Sequence, residues 1–205
     1  MAAKPKLIVS LTSPYARKVR IAALEKGIEF EMVVDVPWNE DTGVVKTNPL
    51  GKVPVWLEKI GQEEVAVFDS RVITDYLDKK SGPTLIPAEP SLWLPVKVTE
   101  AIAEGVMDAS LALFAERRKR PAELQHPWWV ERQFGKVHRG LFELNRQIHG
   151  KDFFVGKSLT IADIAVASAL GYIGLRFSED FDWQQRYPAL ADFYASMMKR
   201  PSVSS

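Results

Sequence analysis

The Val53-Pro54 step and the Asp69-Ser70 pair are the residues of this chain whose types and spacing best suit chemistry. Proline has no amide proton for a sheet ladder, so Val53-Pro54 is out of place as sheet at the mouth of an apparent strand, Val53 to Glu58. It fits a chain that turns there, with the Val53 amide and carbonyl facing outward and free to pair with something extended. X–Pro bonds reach the cis form at about 0.5–1 kcal/mol above trans, and a cis Val53–Pro54 bond is expected. A peptide-like ligand would then lie antiparallel on Val53, as an added strand does. Asp69-Ser70 follows a second strand-like run, Glu64 to Phe68, and opens a helix-like run, Arg71 to Lys79. Amides at a helix N-terminus attract a carboxylate. One extended peptide with a free carboxylate would satisfy both places.

The elements that must position these residues are legible in outline. Leu7-Ile8-Val9 reads as a buried strand, and Ser13-Pro14 as a serine cap with proline in the first helical turn. Tyr15, Val19, Ala22 and Ala23 recur at helical spacing until Gly27. Glu29 to Val36 is a second strand-like run, and Trp38 to Lys46 is a polar loop or short helix with one aromatic. Two strands joined by Lys59-Ile60-Gly61-Gln62 follow, then a helix with Val72, Ile73, Tyr76 and Leu77 on one face. The proline-dense stretch from Ser81 to Pro90 reads as a linker with Leu85 and Ile86 as apolar anchors. Beyond it the pattern is helical throughout, with runs over Ser91 to Arg120, Trp128 to His149, Thr160 to Phe177 and Pro188 to Lys199. Pro95 is expected in the first turn of the first run, or as a kink in it. Thr160-Ile161-Ala162-Asp163 is a capping box with aspartate in the place of Glu or Gln, which makes Asp163 a buried folding determinant.

Taken together, Thr12 to Arg20, Asn48 to Val55, Phe68-Asp69-Ser70, Leu159 to Asp163 and Tyr187-Pro188-Ala189-Leu190 with Arg200-Pro201-Ser202 closely resemble the glutathione S-transferase superfamily. The bacterial members with a serine-type start are the most similar. The resemblance implies an α/β plus all-α chain: a thioredoxin-like βαβ-ββα domain over residues 1–80, a linker over 81–90 and an all-helical domain over 91–205. It also implies a cytoplasmic homodimer active in detoxification, with glutathione as co-substrate and no metal.

The implied chemistry is attack by the glutathione sulfur on a small hydrophobic electrophile. A free thiol titrates near 8.5, so about 3% is ionised at pH 7, and lowering its pKa to about 7 needs roughly 2 kcal/mol. A hydroxyl donating to the charged sulfur contributes about 1.5–3 kcal/mol and a helix N-terminus about 0.3–1, so one serine at a helix start suffices. The gain in rate is smaller than the gain in ionisation, because a less basic thiolate is a weaker nucleophile. Ser13 stands where the resemblance puts that donor, although without the resemblance it reads first as an N-cap; Thr12 and Ser10 are competing hydroxyls, and Tyr15 a third that the helical period places on the packed face. The resemblance further implies that Lys52 meets the glycine carboxylate and that Val53 and Pro54 hold the cysteinyl unit. Asp69 and Ser70 would take the γ-glutamyl end. For the electrophile pocket the chain offers Trp38 and, at i, i+3, i+4 and i+7, Met107, Ser110, Leu111 and Phe114. That stripe reads equally as core between helices.

Composition removes other classes. The 205 residues carry no cysteine, which excludes disulfides, thiolate zinc sites and thiol transfer through a protein cysteine. His126, His138 and His149 show no paired ligand spacing. A net charge of +1 gives no support to nucleic-acid binding, and the one basic cluster, Arg117 to Arg120, reads as a solvated helix end or as a rim for anionic substrates. No apolar run has the length of a signal peptide or a membrane span. Two further readings stand beside the transferase. One is a glutathione-dependent isomerase of the maleylacetoacetate type, against which Thr12-Ser13-Pro14-Tyr15 departs from the Ser-Ser-Cys start of those enzymes. The other is a non-catalytic interaction module on the same fold, of the stringent-starvation type.

Overall fold

The structure is a computed structural model that describes residues 4–80 and 82–204. Residues 1–3, Ser81 at the head of the expected linker, and Ser205 lie outside the described residues. The chain divides into two compact units, Met1–Ile86 and Pro87–Ser205.

The first unit runs β1 (Lys6–Val9), α1 (Pro14–Glu25), β2 (Glu31–Val34), β3 (Val55–Ile60), β4 (Glu63–Val67) and α2 (Ser70–Asp78), with a single 3-10 turn at Val44–Lys46. The sheet order is β2-β1-β3-β4, with β2 parallel to β1 and the other neighbours antiparallel. This is the βαβ-ββα layout expected from the sequence. The alternation of β1 splits the core, because successive side chains leave opposite faces of a strand. Leu7 and Val9 pack with Trp56 against Ala16, Val19 and Ala23 of α1 and Ile73 and Leu77 of α2. Ile8 packs on the other face with Val55 and Val44.

Boundaries moved where propensity and pairing compete. The expected strand from Glu29 to Val36 shortens to Glu31–Val34, because Lys6 and Val9 bound the pairing available on β1. β3 begins at Val55, after the proline that lacks a donor, and continues to Ile60.

Two polar clusters, one buried and one half-buried, tie the unit together, and periodicity revealed neither. The Lys26 side chain is buried, and its Nζ donates to Asp78 Oδ1 at 3.3 Å and to the Pro83 carbonyl at 2.8 Å. Asp78 in turn accepts the Leu85 amide at 2.7 Å and the Ile86 amide at 3.3 Å, so one ion pair holds residues 83–86 against the ends of α1 and α2. Gly82 permits the approach: at φ +99°, a Cβ there would lie 2.5 Å from the Lys26 carbonyl oxygen. Elsewhere, Glu58 accepts from Trp56 Nε1 and from the Tyr76 hydroxyl, each at 2.9 Å, and pairs with Lys80. Burial alone would push the Glu58 carboxyl up, but the hydrogen bonds from Lys80, Trp56 and Tyr76 outweigh it and hold the group below its ordinary value.

The second unit contains α3 (Pro90–Phe114), α4 (Pro127–Ile148), α5 (Ile161–Phe177), α6 (Trp183–Arg186), α7 (Pro188–Met197) and α8 (Pro201–Ser204). The short α6 and α8 were not foreseen. The first long helix stops as α-helix at Phe114 and finishes as a π-turn over Ala115–Lys119, with Arg120 extended, instead of running regularly to Arg120. Pro95 sits inside α3 and removes a single bond, to the carbonyl of Ser91. The basic cluster is partly neutralised: Arg117 pairs with Asp180, and Arg120 with Glu116. The π-turn brings Glu116 close enough for its Oε1 to accept the His126 amide at 2.8 Å.

Helix α5 is apolar nearly all round, and α3 packs along it. Its start is fixed as the sequence reading required. Asp163 is fully buried and accepts the Thr160 amide at 2.7 Å, the Thr160 hydroxyl at 2.8 Å and the Phe154 amide at 2.8 Å. Among the described residues no helix is long and apolar enough to cross a membrane.

Two outcomes follow from the polar clusters. Asp78→Ala leaves Lys26 buried and unpaired and should destabilise the protein by about 3–5 kcal/mol, read from urea unfolding. A loss below ~1 kcal/mol would show that the pair is not holding residues 83–86. For Glu58 the folded carboxyl titrates below its unfolded value of about 4.3, so its stabilisation is present above that pH and is lost as the pH falls through the folded value. The stability gap between the parent and Glu58→Gln should therefore be full at pH 7 and shrink as the pH falls below the unfolded value of about 4.3. A gap independent of pH would assign the effect to packing.

Candidate functional site

The sheet register decides which loops meet. Ile8 pairs with Val55, so the start of β3 lies beside the end of β1. Trp56 pairs with Val67, so the end of β4 lies beside the start of β3. Val9 pairs with Val34, so β2 ends on the same side. Four connections therefore leave one end of the sheet: the loop carrying Trp38, the turn carrying Ser13, the Lys52-Val53-Pro54 segment and the Asp69-Ser70 corner. Strands are spaced by about 4.8 Å, so the step from β1 across β3 to β4 covers about 10 Å. Three extended residues also span about 10 Å.

Ser13 is the N-cap of α1, with Pro14 at the first helical position. Its Oγ accepts the Ala16 amide at 3.2 Å, its amide donates to the Ser10 carbonyl at 2.9 Å, and its hydroxyl proton is left available to donate. The competing hydroxyls of Ser10 and Thr12 lie 3.4 Å from each other. Tyr15 is half-buried.

The Val53–Pro54 bond is cis, as the sequence suggested, and the Phe68–Asp69 bond is cis as well. Pro54 is buried, Val53 half-buried and Lys52 exposed. Val53 stands ahead of the first ladder pair at Val55, and its backbone groups have no backbone partner among the described residues. The organiser of this segment is Asn48, which is buried and which the sequence reading had quoted without assigning it a role. Its Nδ2 donates to the Lys52 carbonyl at 2.8 Å and its Oδ1 accepts the Leu50 amide at 3.0 Å. The signal was present: asparagine before Pro-Leu-Gly is a residue that hydrogen-bonds the backbone two positions on. Gly51 completes the turn at φ +60°.

Asp69 caps α2, its carboxylate accepting the Arg71 amide at 3.0 Å. Ser70 follows as the first residue of α2 and is buried, and its carbonyl accepts the Thr74 hydroxyl at 2.9 Å. Two helix N-termini thus face the same end of the sheet, the one capped by serine and the other by aspartate.

The loop after β2 is held by Asp35, whose carboxylate takes the Thr42 hydroxyl at 2.7 Å and the Gly43 amide at 3.0 Å. No sequence pattern marked that pair. Trp38, on this loop, is 54% exposed.

The stripe on α3 divides. Met107 and Ser110 are fully buried, as the core alternative required, while Leu111 and Phe114 are half-buried.

Comparison with known proteins matches this arrangement. The family model described as the glutathione S-transferase N-terminal domain covers residues 12–80, and that for the C-terminal domain covers residues 129–196. The chain is 39% identical to the uncharacterized GST-like protein YibF of Escherichia coli K12 over 172 residues, 83% of each chain. A glutathione S-transferase from Methylobacillus flagellatus KT, solved with glutathione bound, superposes with a TM-score of 0.92 at 42% identity, over 98% of both chains. A glutathione transferase family member from Pseudomonas fluorescens Pf-5, solved with S-(propanoic acid)-glutathione, superposes with a TM-score of 0.84 at 33% identity, over 98% of this chain and 97% of its own. With both halves of the family matched in order on a sheet whose loop ends meet as described, this chain belongs to the glutathione S-transferase family.

Proposed function

We propose that this protein is a glutathione transferase that ionises the glutathione thiol and directs it at a small electrophile. The observation that carries the reading is the convergence of Ser13, Val53-Pro54 and Asp69-Ser70 at one end of the sheet, across a span that suits a tripeptide. Glutathione binding in the Methylobacillus and Pseudomonas relatives supports it.

In this reading the cysteinyl backbone pairs with Val53 as an extra strand would, and Pro54 keeps the segment out of the ladder. Lys52 meets the glycine carboxylate. The α2 N-terminus, with the Ser70 amide and hydroxyl, takes the γ-glutamyl carboxylate, and Asp69 faces its ammonium. Ser13 accepts from the helix through its lone pair and donates its proton to sulfur, so capping and activation are compatible.

For the electrophile the first unit itself offers Trp38 on the exposed loop after β2; in the second unit, Leu111 and Phe114 are the half-buried members of the α3 stripe. Met107 and Ser110 are enclosed, and their part is to shape the helix packing. Residues 1–80 are taken as the glutathione-binding domain, 81–90 as the linker and 91–205 as the helical domain. The family resemblance extends the reading to a cytoplasmic homodimer with a role in detoxification.

If Ser13 donates to the thiolate, Ser13→Ala should lower conjugation of a chlorinated dinitrobenzene at pH 7 by about tenfold or more, with much of the loss recovered at pH 9, where the thiol ionises unaided. Loss of a cap alone instead lowers stability by about 0.5–2 kcal/mol and leaves the pH profile parallel to that of the parent. Parallel curves would move the role to Thr12, Ser10 or the backbone.

Ser70→Ala and Lys52→Ala should each weaken glutathione by about 1–3 kcal/mol in calorimetry, the size of a charge-assisted hydrogen bond. Parent-like affinity in both variants would show that the ligand is misplaced. A parent that fails to hold glutathione at all would favour the interaction-module reading.

A further inference from the structure

Asn48 is 2% exposed, and its hydrogen bonds tie the Val53 segment to the core of the first unit. Its amide donates to the Val44 carbonyl at 2.8 Å, and Val44 is fully buried against Ile8 and Val55. The Gly51 amide donates to the Asn48 carbonyl at 2.9 Å, and the Leu50 amide to Oδ1 at 3.0 Å. Those two bonds already close the turn, in the way asparagine commonly does through the backbone two positions on. The bond from Nδ2 to the Lys52 carbonyl, at 2.8 Å, reaches beyond the turn and needs another reason.

The Lys52 carbonyl and the Val53 amide belong to one peptide group. That group is planar and trans, so its C=O and N–H point in opposite directions. Fixing the carbonyl therefore fixes the amide. Asn48 draws the carbonyl towards its own buried position, so the Val53 N–H is turned away from Asn48. That N–H has no backbone partner among the described residues. Without the Asn48 bond the peptide group could rotate about the single bonds on either side of it, with small movements of its neighbours. An amide that is already aimed costs a ligand no ordering on binding, whereas one free to turn must be ordered first.

We infer that Asn48 is a positioning residue that sets the affinity for glutathione, by holding the Val53 N–H in the direction from which the cysteinyl carbonyl accepts it. The inference rests on the transferase reading. Asn48 acts on binding and leaves the sulfur alone. Ser13 stands on a different loop, where its hydrogen bonds run to Ala16 and Ser10 and none runs to this segment. The contact to the cysteinyl backbone is the same before and during attack by the sulfur, so it contributes equally to the ground state and the transition state. Loss of the Asn48 bond should therefore raise KM for glutathione and leave kcat at saturation, with its pH profile, as in the parent.

The test uses the intact protein and two ligands, glutathione and an isostere in which a trans carbon–carbon double bond replaces the peptide bond between cysteine and glycine. Shape and charge are kept and the cysteinyl carbonyl is gone. The isostere also lacks the glycine N–H, whose contribution is common to every variant and drops out of the comparison. In calorimetry the parent should bind glutathione about three- to tenfold tighter than the isostere, the range of one neutral hydrogen bond. Asn48→Asp keeps the acceptor for the Leu50 amide and loses the donor to Lys52. It should lower that ratio about threefold or more by weakening glutathione alone, and Asn48→Ala should do the same. Asp78→Ala, which loosens the same unit elsewhere, should keep the parent's ratio. A purely structural role for Asn48 would weaken both ligands together, leave the ratio in place and overturn the inference. Failure of both Asn48 variants to fold would overturn it too, by making Asn48 a folding determinant. So would a fall in kcat at saturating glutathione or a displaced pH profile, because the effect would then extend to the sulfur. A parent that binds glutathione without preferring it to the isostere overturns the inference alone. A parent that does not bind glutathione overturns the transferase reading and this inference with it.

Discussion

The antiparallel register of β3, with Val55 beside Ile8 and Trp56 beside Val67, is the constraint on which both the core and the site of the first unit depend. A slip of one residue would turn fully buried Trp56 away from Leu7, Val19, Ile73 and Leu77 and would point its neighbours into the wrong layer. The same slip would draw Pro54 towards the ladder, where it has no proton to give, and would carry Val53 away from the ends of β1 and β4. Packing of large apolar side chains thus holds in place a segment in which the Val53 backbone groups have no backbone partner among the described residues. Asn48 refines this arrangement by bonding the Lys52 carbonyl from a buried position.

In the transferase reading proposed above, the contributions to ligand capture and thiol activation are individually modest. A helix N-terminus offers a few tenths of a kcal/mol to about 1, and a hydroxyl donor somewhat more. Their effect comes from direction: α1 and α2 start at the same end of the sheet, each capped by a side chain that already satisfies one amide. Ser13 illustrates the economy of a hydroxyl, which accepts from the helix and still has a proton to donate. Asp69, the cap of α2, has no hydroxyl of that kind, and in the proposed reading it faces an ammonium instead.

The helical unit is organised by a different constraint, the burial of α5. A helix apolar on every side needs an unambiguous start, and Asp163 supplies it by accepting three hydrogen bonds from Thr160 and Phe154 in the interior. The far end of the same helix delivers Arg176 to Phe114. A charge placed on a rigid, well-packed helix keeps its position better than one on a loop.

Local patterns in the sequence were enough to identify the strands and the longer helices and several of their ends. The late start of β3 follows from proline, the Ser13 and Asp69 caps from residue type, the Asp163 box from its spacing, and the absence of cysteine excludes a class of chemistry outright. Each of these acts within a few residues, so it survives without knowledge of the fold. Tertiary structure alone decided the rest. Lys26 meets Asp78 and Pro83 across 52 and 57 residues, Glu58 meets Tyr76 and Lys80 across 18 and 22, and Arg176 reaches Phe114 from another helix. The i, i+3, i+4, i+7 stripe on α3 had a sound period, but its residues divide into enclosed Met107 and Ser110 and half-buried Leu111 and Phe114. Periodicity states which side chains share a face. Which part of that face a neighbour covers depends on how the elements pack, and no short-range pattern carries that information.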